Sequence, residues 1–195
     1  MNPKIADFGL ARLLGGGHTQ TRTAIVAGTH GYMAPEYALF GNVSPKIDVF
    51  SFGVLVLEII TGRRNNSSSD ESDKSVNLLT DVWNCWTKGT ALQLINESPD
   101  GHAKSQVLRC IHIGLLCVQE HPDDRPRISS VVVMLTRSRV RLQAPRQPAF
   151  FFGGDSSSAA DERMHGRNFM YERSDVIVED SLSVNDVTNT DPYPR

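Results

Sequence analysis

The sequence predicts a mainly α-helical domain followed by a polar tail. Three observations lead there. An apolar run over residues 43–64 carries both a helix start and a helix stop. Residues 76–137 repeat apolar side chains at helical spacing, and from about residue 140 that rhythm ends.

Residues 1–42 are rich in glycine and threonine and poor in periodic apolar residues. Gly15-Gly16-Gly17 and the set Thr19, Thr21, Thr23 read as an exposed loop. Ser44-Pro45 then opens a helix, with a capping hydroxyl followed by proline at the first helical position. Val49, Phe50, Phe52, Val54, Leu55, Val56, Leu57, Ile59 and Ile60 cover all of its sides, the pattern of a helix in the middle of a core. Thr61-Gly62 stops it. The serine-rich run from Asn65 to Ser75 is a surface loop. Leu78, Leu79, Val82, Trp83 and Trp86 make the face of a second helix, and Val107, Leu108, Ile111, Leu115 and Val118 that of a third. His121 to Pro126 is a turn, and Ile128 to Leu135 a short last helix, although Val131-Val132-Val133 alone also suits a strand. The organisation expected is a domain over 1–139 and a disordered tail over 140–195, where prolines, serines and acids follow no period.

The chain has 195 residues, 39% hydrophobic and 22% charged, enough for one domain with a real core. A net charge of −2 speaks against a general nucleic-acid binder. Three cysteines, Cys85, Cys110 and Cys117, form neither a disulfide framework nor a zinc-type pair; they fit a reducing compartment as core fillers. The most apolar run, Val49–Ile60, is interrupted by Ser51, Gly53 and Glu58 and falls short of a membrane span. No apolar stretch of signal-peptide type follows Met1, so a cytoplasmic location is expected.

Asp7-Phe8-Gly9 follows the apolar Ile5-Ala6. A carboxylate at the end of a short strand, beside a glycine that allows a sharp turn, can hold magnesium on nucleotide phosphates. Ala34-Pro35-Glu36 lies further on, preceded by Gly28-Thr29-His30-Gly31-Tyr32-Met33. Asp48 to Gly53 opens the apolar helix, and Arg125-Pro126 precedes the last one. Two triplets bracketing a loop in this order resemble the activation segment of protein kinases. The chain resembles the C-terminal lobe of a protein-kinase fold, truncated at its N-terminal side. More closely it is similar to plant receptor-like Ser/Thr kinases of the cysteine-rich or lectin branches, through stretches such as Lys4 to Arg12, Gly31 to Ala38, Gln20 to Thr23, Gly114 to Glu120 and Asn185 to Thr188.

The resemblance implies a role for each matching residue. Asp7 is the magnesium and nucleotide ligand. Phe8 packs in the core beside Gly9. Thr19, Thr21 and Thr23 are phosphoacceptors, and Thr29 lies in the loop that docks substrate. Glu36 forms a buried ion pair with Arg125, and Asp48 caps the backbone of the catalytic loop. ATP and Mg2+ are the cofactors, and protein substrates or other kinases the partners, with no nucleic acid and no membrane segment. The family also needs a glycine-rich loop, a strand lysine and a His-Arg-Asp catalytic loop, all upstream of the Asp-Phe-Gly. Only six residues precede Asp7, and no Gly-x-Gly-x-x-Gly occurs. The expectation is a truncated product that does not itself transfer phosphoryl groups. The alternative is a non-catalytic piece that binds or competes for kinase partners. The helix from Asp48 to Ile60 is then expected to show an apolar side to water where an upstream helix is absent.

Overall fold

The computed structural model describes residues 4–11, 14, 19–29, 31–65, 77–95 and 100–150, all within a compact unit, Met1–Gly154. The triple glycine, the serine-rich run over 66–76 and the tail beyond residue 150 lie outside the described residues.

Strand β1 (Thr21–Arg22) pairs antiparallel with β2 (Asn42–Val43), Thr21 facing Val43. Between them runs helix α1 (Pro35–Phe40), which the sequence reading did not foresee. Its proline at the first helical position starts it. Gly41, at φ 66°, ends it, and a Cβ there would run into the Thr23 carbonyl. Six residues are too few for a readable apolar period.

Helix α2 (Pro45–Thr61) is the axle of the fold. The Ser44 hydroxyl accepts from the Lys46 amide at 3.2 Å, and Gly62 closes the far end. Helices α3 (Leu78–Thr87) and α4 (Gly101–Cys117) pack on one side of it, through Phe50, Val54, Leu57, Leu79, Val82, Ile111 and Leu115. Helix α5 (Ile128–Thr136) packs on another, where Val49, Ile113, Cys117 and Val131 form a second cluster. The three valines are therefore helical: Val131 and Met134 point into this cluster at a spacing of three residues. Helix α2 is not enclosed all round. Leu55 is 46% exposed and Ile59 70%, one turn apart on the same side.

Among the cysteines only Cys117 is buried; Cys85 and Cys110 are half-buried rather than core fillers. Burial pushes the Cys117 thiol up to about 12 from the usual 9.0. Unfolded chains ionise this thiol near pH 9, while folded ones keep its proton, so stability falls as pH rises from about 9 towards 12. Cys117→Ala is expected to flatten that alkaline loss, measured as urea midpoints at pH 8 and pH 10.

The expected domain boundary at 139/140 comes too early. Residues 140–150 return over the helices: Leu142 joins the second cluster, and Ala149 is 2% exposed in the first. Gln119 takes the Arg146 carbonyl on Nε2 (2.9 Å) and the Arg146 amide on Oε1 (3.0 Å). A segment held by such backbone pairing needs no periodicity of its own, so a period-based reading misses it. No helix among the described residues is long and apolar enough to cross a membrane.

Candidate functional site

Residues 4–8, expected as a short strand ending at Asp7, have no regular structure; a strand needs a neighbour, and none of the described residues pairs with them. Asp7 sits at φ 62°, in the left-handed region that aspartate tolerates better than most residues. Its Oδ1 accepts from the Gly9 amide at 3.2 Å, and the Ala11 amide donates to the Phe8 carbonyl at 2.9 Å, closing the next turn. Phe8, expected in the core, is 69% exposed. No described residue covers its ring.

A magnesium ion takes six oxygens in near-octahedral geometry, often with one or two from carboxylates. Asp7 suits one such position, with one of its oxygens already engaged by Gly9. Among the described residues no cluster of His, Cys, Asp and Glu completes a metal site. The residues present fit a single ligand and not a whole site.

The threonine candidates differ in access. Thr19 and Thr21 are exposed. Thr23 is 8% exposed, and its hydroxyl donates to the Ile25 carbonyl (2.9 Å) while accepting from the Ile25 amide (3.3 Å). In this conformation Thr19 and Thr21 are open to solvent, and the Thr23 hydroxyl is engaged and covered. Thr29 is exposed, in a turn closed by the Tyr32 amide at 3.2 Å from its carbonyl.

Glu36 and Arg125, far apart in sequence, are brought together. Arg125 has a fully buried side chain and meets both Glu36 oxygens, Nη1 to Oε1 at 2.7 Å and Nη2 to Oε2 at 2.8 Å. It also donates to the carbonyls of Gln119 (2.7 Å), Glu120 (3.0 Å) and Lys46 (3.2 Å), which uses all its donors. The guanidinium lies 5.0 Å from the centre of the Phe50 ring. Lys46 ties the same turn from the other side, donating to the carbonyls of Pro122 and Arg125. Burial lowers its affinity for the proton, and Arg125 and Arg127 nearby act the same way against Asp123. The start of α1 is thereby locked to the turn before α5 and to the first turn of α2.

Asp48 occupies that first turn of α2, exposed, with no hydrogen-bond partner among the described residues. Partial desolvation raises its carboxyl above the usual carboxylate range.

Sequence reasoning missed the anchors of the loop around Thr29. Tyr32 donates through its hydroxyl to the Glu58 carboxylate, 2.8 Å from both oxygens. This contact, with desolvation, raises the Tyr32 phenol above its usual range. The Asn65 amide reaches Glu58 Oε1 at 2.7 Å, and its side-chain Nδ2 donates to the Gly31 carbonyl at 2.8 Å. Ser51 Oγ donates to the Tyr32 carbonyl at 2.6 Å. The signal lay in the sequence: Ser51 and Glu58 are the polar interruptions of the apolar run, and both face this loop. Tyr32→Phe is expected to cost about 1.5–3 kcal/mol, the usual worth of a hydrogen bond to a charged group. Urea unfolding of the two proteins reads this directly.

Residues 1–134 match the family described as the protein kinase domain. The chain belongs to that family. This kinase-domain chain is similar to cysteine-rich receptor-like protein kinase 8 of Arabidopsis thaliana, 51% identical over 196 residues that cover 100% of this chain and 28% of that protein. It is similar in the same way to cysteine-rich receptor-like protein kinase 6 of rice, Oryza sativa, at 50% identity over 200 residues and 28% of that protein. Cysteine-rich receptor-like protein kinase 7 of Arabidopsis thaliana is 56% identical over 152 residues, 77% of this chain and 23% of its own length. The chain thus spans about 28% of the relatives it matches over its full length. The helical fold is that of the kinase C-terminal lobe, and the expected resemblance to cysteine-rich receptor-like kinases holds along the whole chain.

Proposed function

We propose that these residues are the activation segment, substrate-docking loop and helical lobe of a receptor-like Ser/Thr kinase that phosphorylates proteins with ATP and Mg2+ on the cytosolic side of a membrane. In this reading Asp7 is one magnesium ligand, and Thr19 and Thr21 are the accessible phosphoacceptors of the activation segment. Thr29 belongs to the surface that docks substrate, held by Tyr32, Ser51, Glu58 and Asn65. Asp48 receives the backbone of a catalytic loop supplied by further polypeptide. ATP would supply the phosphoryl group and magnesium the charge neutralisation; the residues here orient and dock.

The observation that carries the reading is the lock between Glu36 and Arg125. It fixes the Glu36 end of the loop that starts at Asp7 on the helical lobe, next to the turn at Thr29. The chain alone has no general base and no second metal ligand of the family type. Phosphoryl transfer rests on positioning and charge stabilisation by these groups together, so it is expected to need the further polypeptide that supplies them.

A second reading is favoured by the open side of α2. Leu55 and Ile59 present an apolar face that gains from burial by another polypeptide, roughly 25 cal/mol per Å2 covered. If that polypeptide comes in trans, the chain binds kinase partners without catalysing. The coding sequence upstream of the Met1 codon separates the two. An in-frame lysine strand and His-Arg-Asp loop are expected; a message that starts immediately before Met1 overturns the first reading in favour of the second.

A further inference from the structure

We infer that the end of the fold around α5 is a docking surface for anionic lipid, formed by arginines that the kinase reading does not use. Between residues 125 and 150 the sequence has six arginines and no Lys, Asp or Glu. The whole chain carries −2, so the remaining residues carry −8 against this segment's +6. Of that −8 the described residues hold only −1, eight Lys and Arg against nine Asp and Glu, so the net positive charge of the described fold comes from this end.

Two of the six are spent. Arg125 is buried on Glu36, and Arg146 pairs with Asp124 at 3.0 Å. Arg127, Arg137, Arg139 and Arg141 are exposed, and among the described residues no carboxylate pairs with them. Their backbone is nevertheless fixed. Arg109 of α4 reaches across and donates to the carbonyls of Met134 (2.9 Å), Arg137 (3.0 Å) and Val140 (3.0 Å). The Val140 amide closes a turn on Arg137 at 3.3 Å, and His112 Nε2 sits 2.6 Å from the Gln143 carbonyl. Leu142 is anchored in the core cluster. The Arg109 guanidinium therefore holds the turn that displays Arg137, Arg139 and Arg141, and this preorganisation reduces what binding must order.

The spread of the charges selects the partner. Arg127 precedes α5 and Arg137 follows it, and a helix of nine residues separates them by about 13 Å. Groups so far apart meet an array of charges better than one phosphate. Between the two ends Val132 is 54% exposed and Val133 38%. Valines gain nothing against a phosphodiester backbone but are accepted at the boundary of headgroups and acyl chains. A basic rim around a small apolar patch is the surface that peripheral proteins lay on anionic bilayers.

The test is flotation of the full chain with vesicles, which separates bound protein from any aggregate. Vesicles of phosphatidylcholine with 30% phosphatidylserine are expected to carry the protein upward, and pure phosphatidylcholine vesicles are not. The triple substitution Arg137→Gln, Arg139→Gln, Arg141→Gln is expected to lower partitioning on the order of a hundred-fold. Lys88→Gln, on the exposed end of α3, is expected to leave it unchanged. These three arginine side chains make no described contact, so circular dichroism should not distinguish the variant from the parent. Equal recovery on both vesicle types overturns the inference, as does binding that survives the triple substitution. Loss of binding to phosphatidylserine vesicles alongside retained capture of an acidic phosphopeptide overturns the lipid assignment too. This test does not depend on phosphoryl transfer, so it can fail while the kinase reading stands.

Discussion

Arg125→Ala should destabilise the fold by about 3–5 kcal/mol, the cost of removing one partner from a buried pair. Small domains hold together by only about 5–15 kcal/mol, so much of the chain's margin would go. The pair itself need add little. What costs is the remainder: a Glu36 carboxylate 12% exposed with no cation, and the carbonyls of Gln119, Glu120 and Lys46 left without their donor. Arg125→Lys should rescue little, because an ammonium cannot reproduce the two-pronged contact with Glu36 while also reaching the Gln119, Glu120 and Lys46 carbonyls. Arg146→Ala is the control. Its salt bridge with Asp124 is largely exposed and should be worth no more than about 1 kcal/mol. Both are read from urea midpoints followed by the fluorescence of Trp83 and Trp86. Equal shifts for Arg125→Ala and Arg146→Ala would contradict the lock.

Gly53→Ala should destabilise by about 1–3 kcal/mol, the range for overpacking a tight core. Helix propensity alone favours alanine over glycine by up to about 1 kcal/mol, so the sign of the change is itself the test. The seam where α2 crosses α4 decides it. A Cβ on Gly53 would lie 2.5 Å from the Cys117 Cβ and 3.1 Å from the Gly114 carbonyl oxygen, neither of which can swing away. Gly114→Ala meets Leu57 Cδ2 at 2.6 Å and Cγ at 2.8 Å, and should cost less than Gly53→Ala because these are side-chain atoms rather than backbone. A Gly53→Ala protein more stable than the parent would mean that the helices do not approach this closely.

The helices were legible because each carries its own period or punctuation. Ser44-Pro45 and Gly62 bound α2, and Leu78 to Trp86 and Val107 to Val118 show the faces that α3 and α4 bury. Helix α1 and the pairing of Thr21 with Val43 were not legible: they are too short for a period and depend on contacts made across the chain. The same holds for residues 140–150, whose order comes from Arg109, His112 and Gln119 on α4 and the chain just after it. At the candidate site the motifs carry the pairing of Glu36 with Arg125 but not the surroundings of Phe8 or Thr23. Glu36 meets Arg125, yet Phe8 is bare and Thr23 is occluded. Both depend on what packs around them, which a motif does not encode. Leu55 and Ile59 show the complementary case: the run is apolar on every side, and the side expected to face water is the one the described fold leaves open.

The proposed roles of Asp7 and the loop to Glu36 require a lysine strand and a His-Arg-Asp loop that are not found among these residues, so these residues by themselves are expected not to transfer a phosphoryl group. The most direct measurement incubates the purified monomeric chain with Mg2+, labelled ATP and a generic protein substrate, beside an Asp7→Ala variant. No label above background is expected in either. Incorporation by the parent chain that disappears with Asp7→Ala would contradict this expectation.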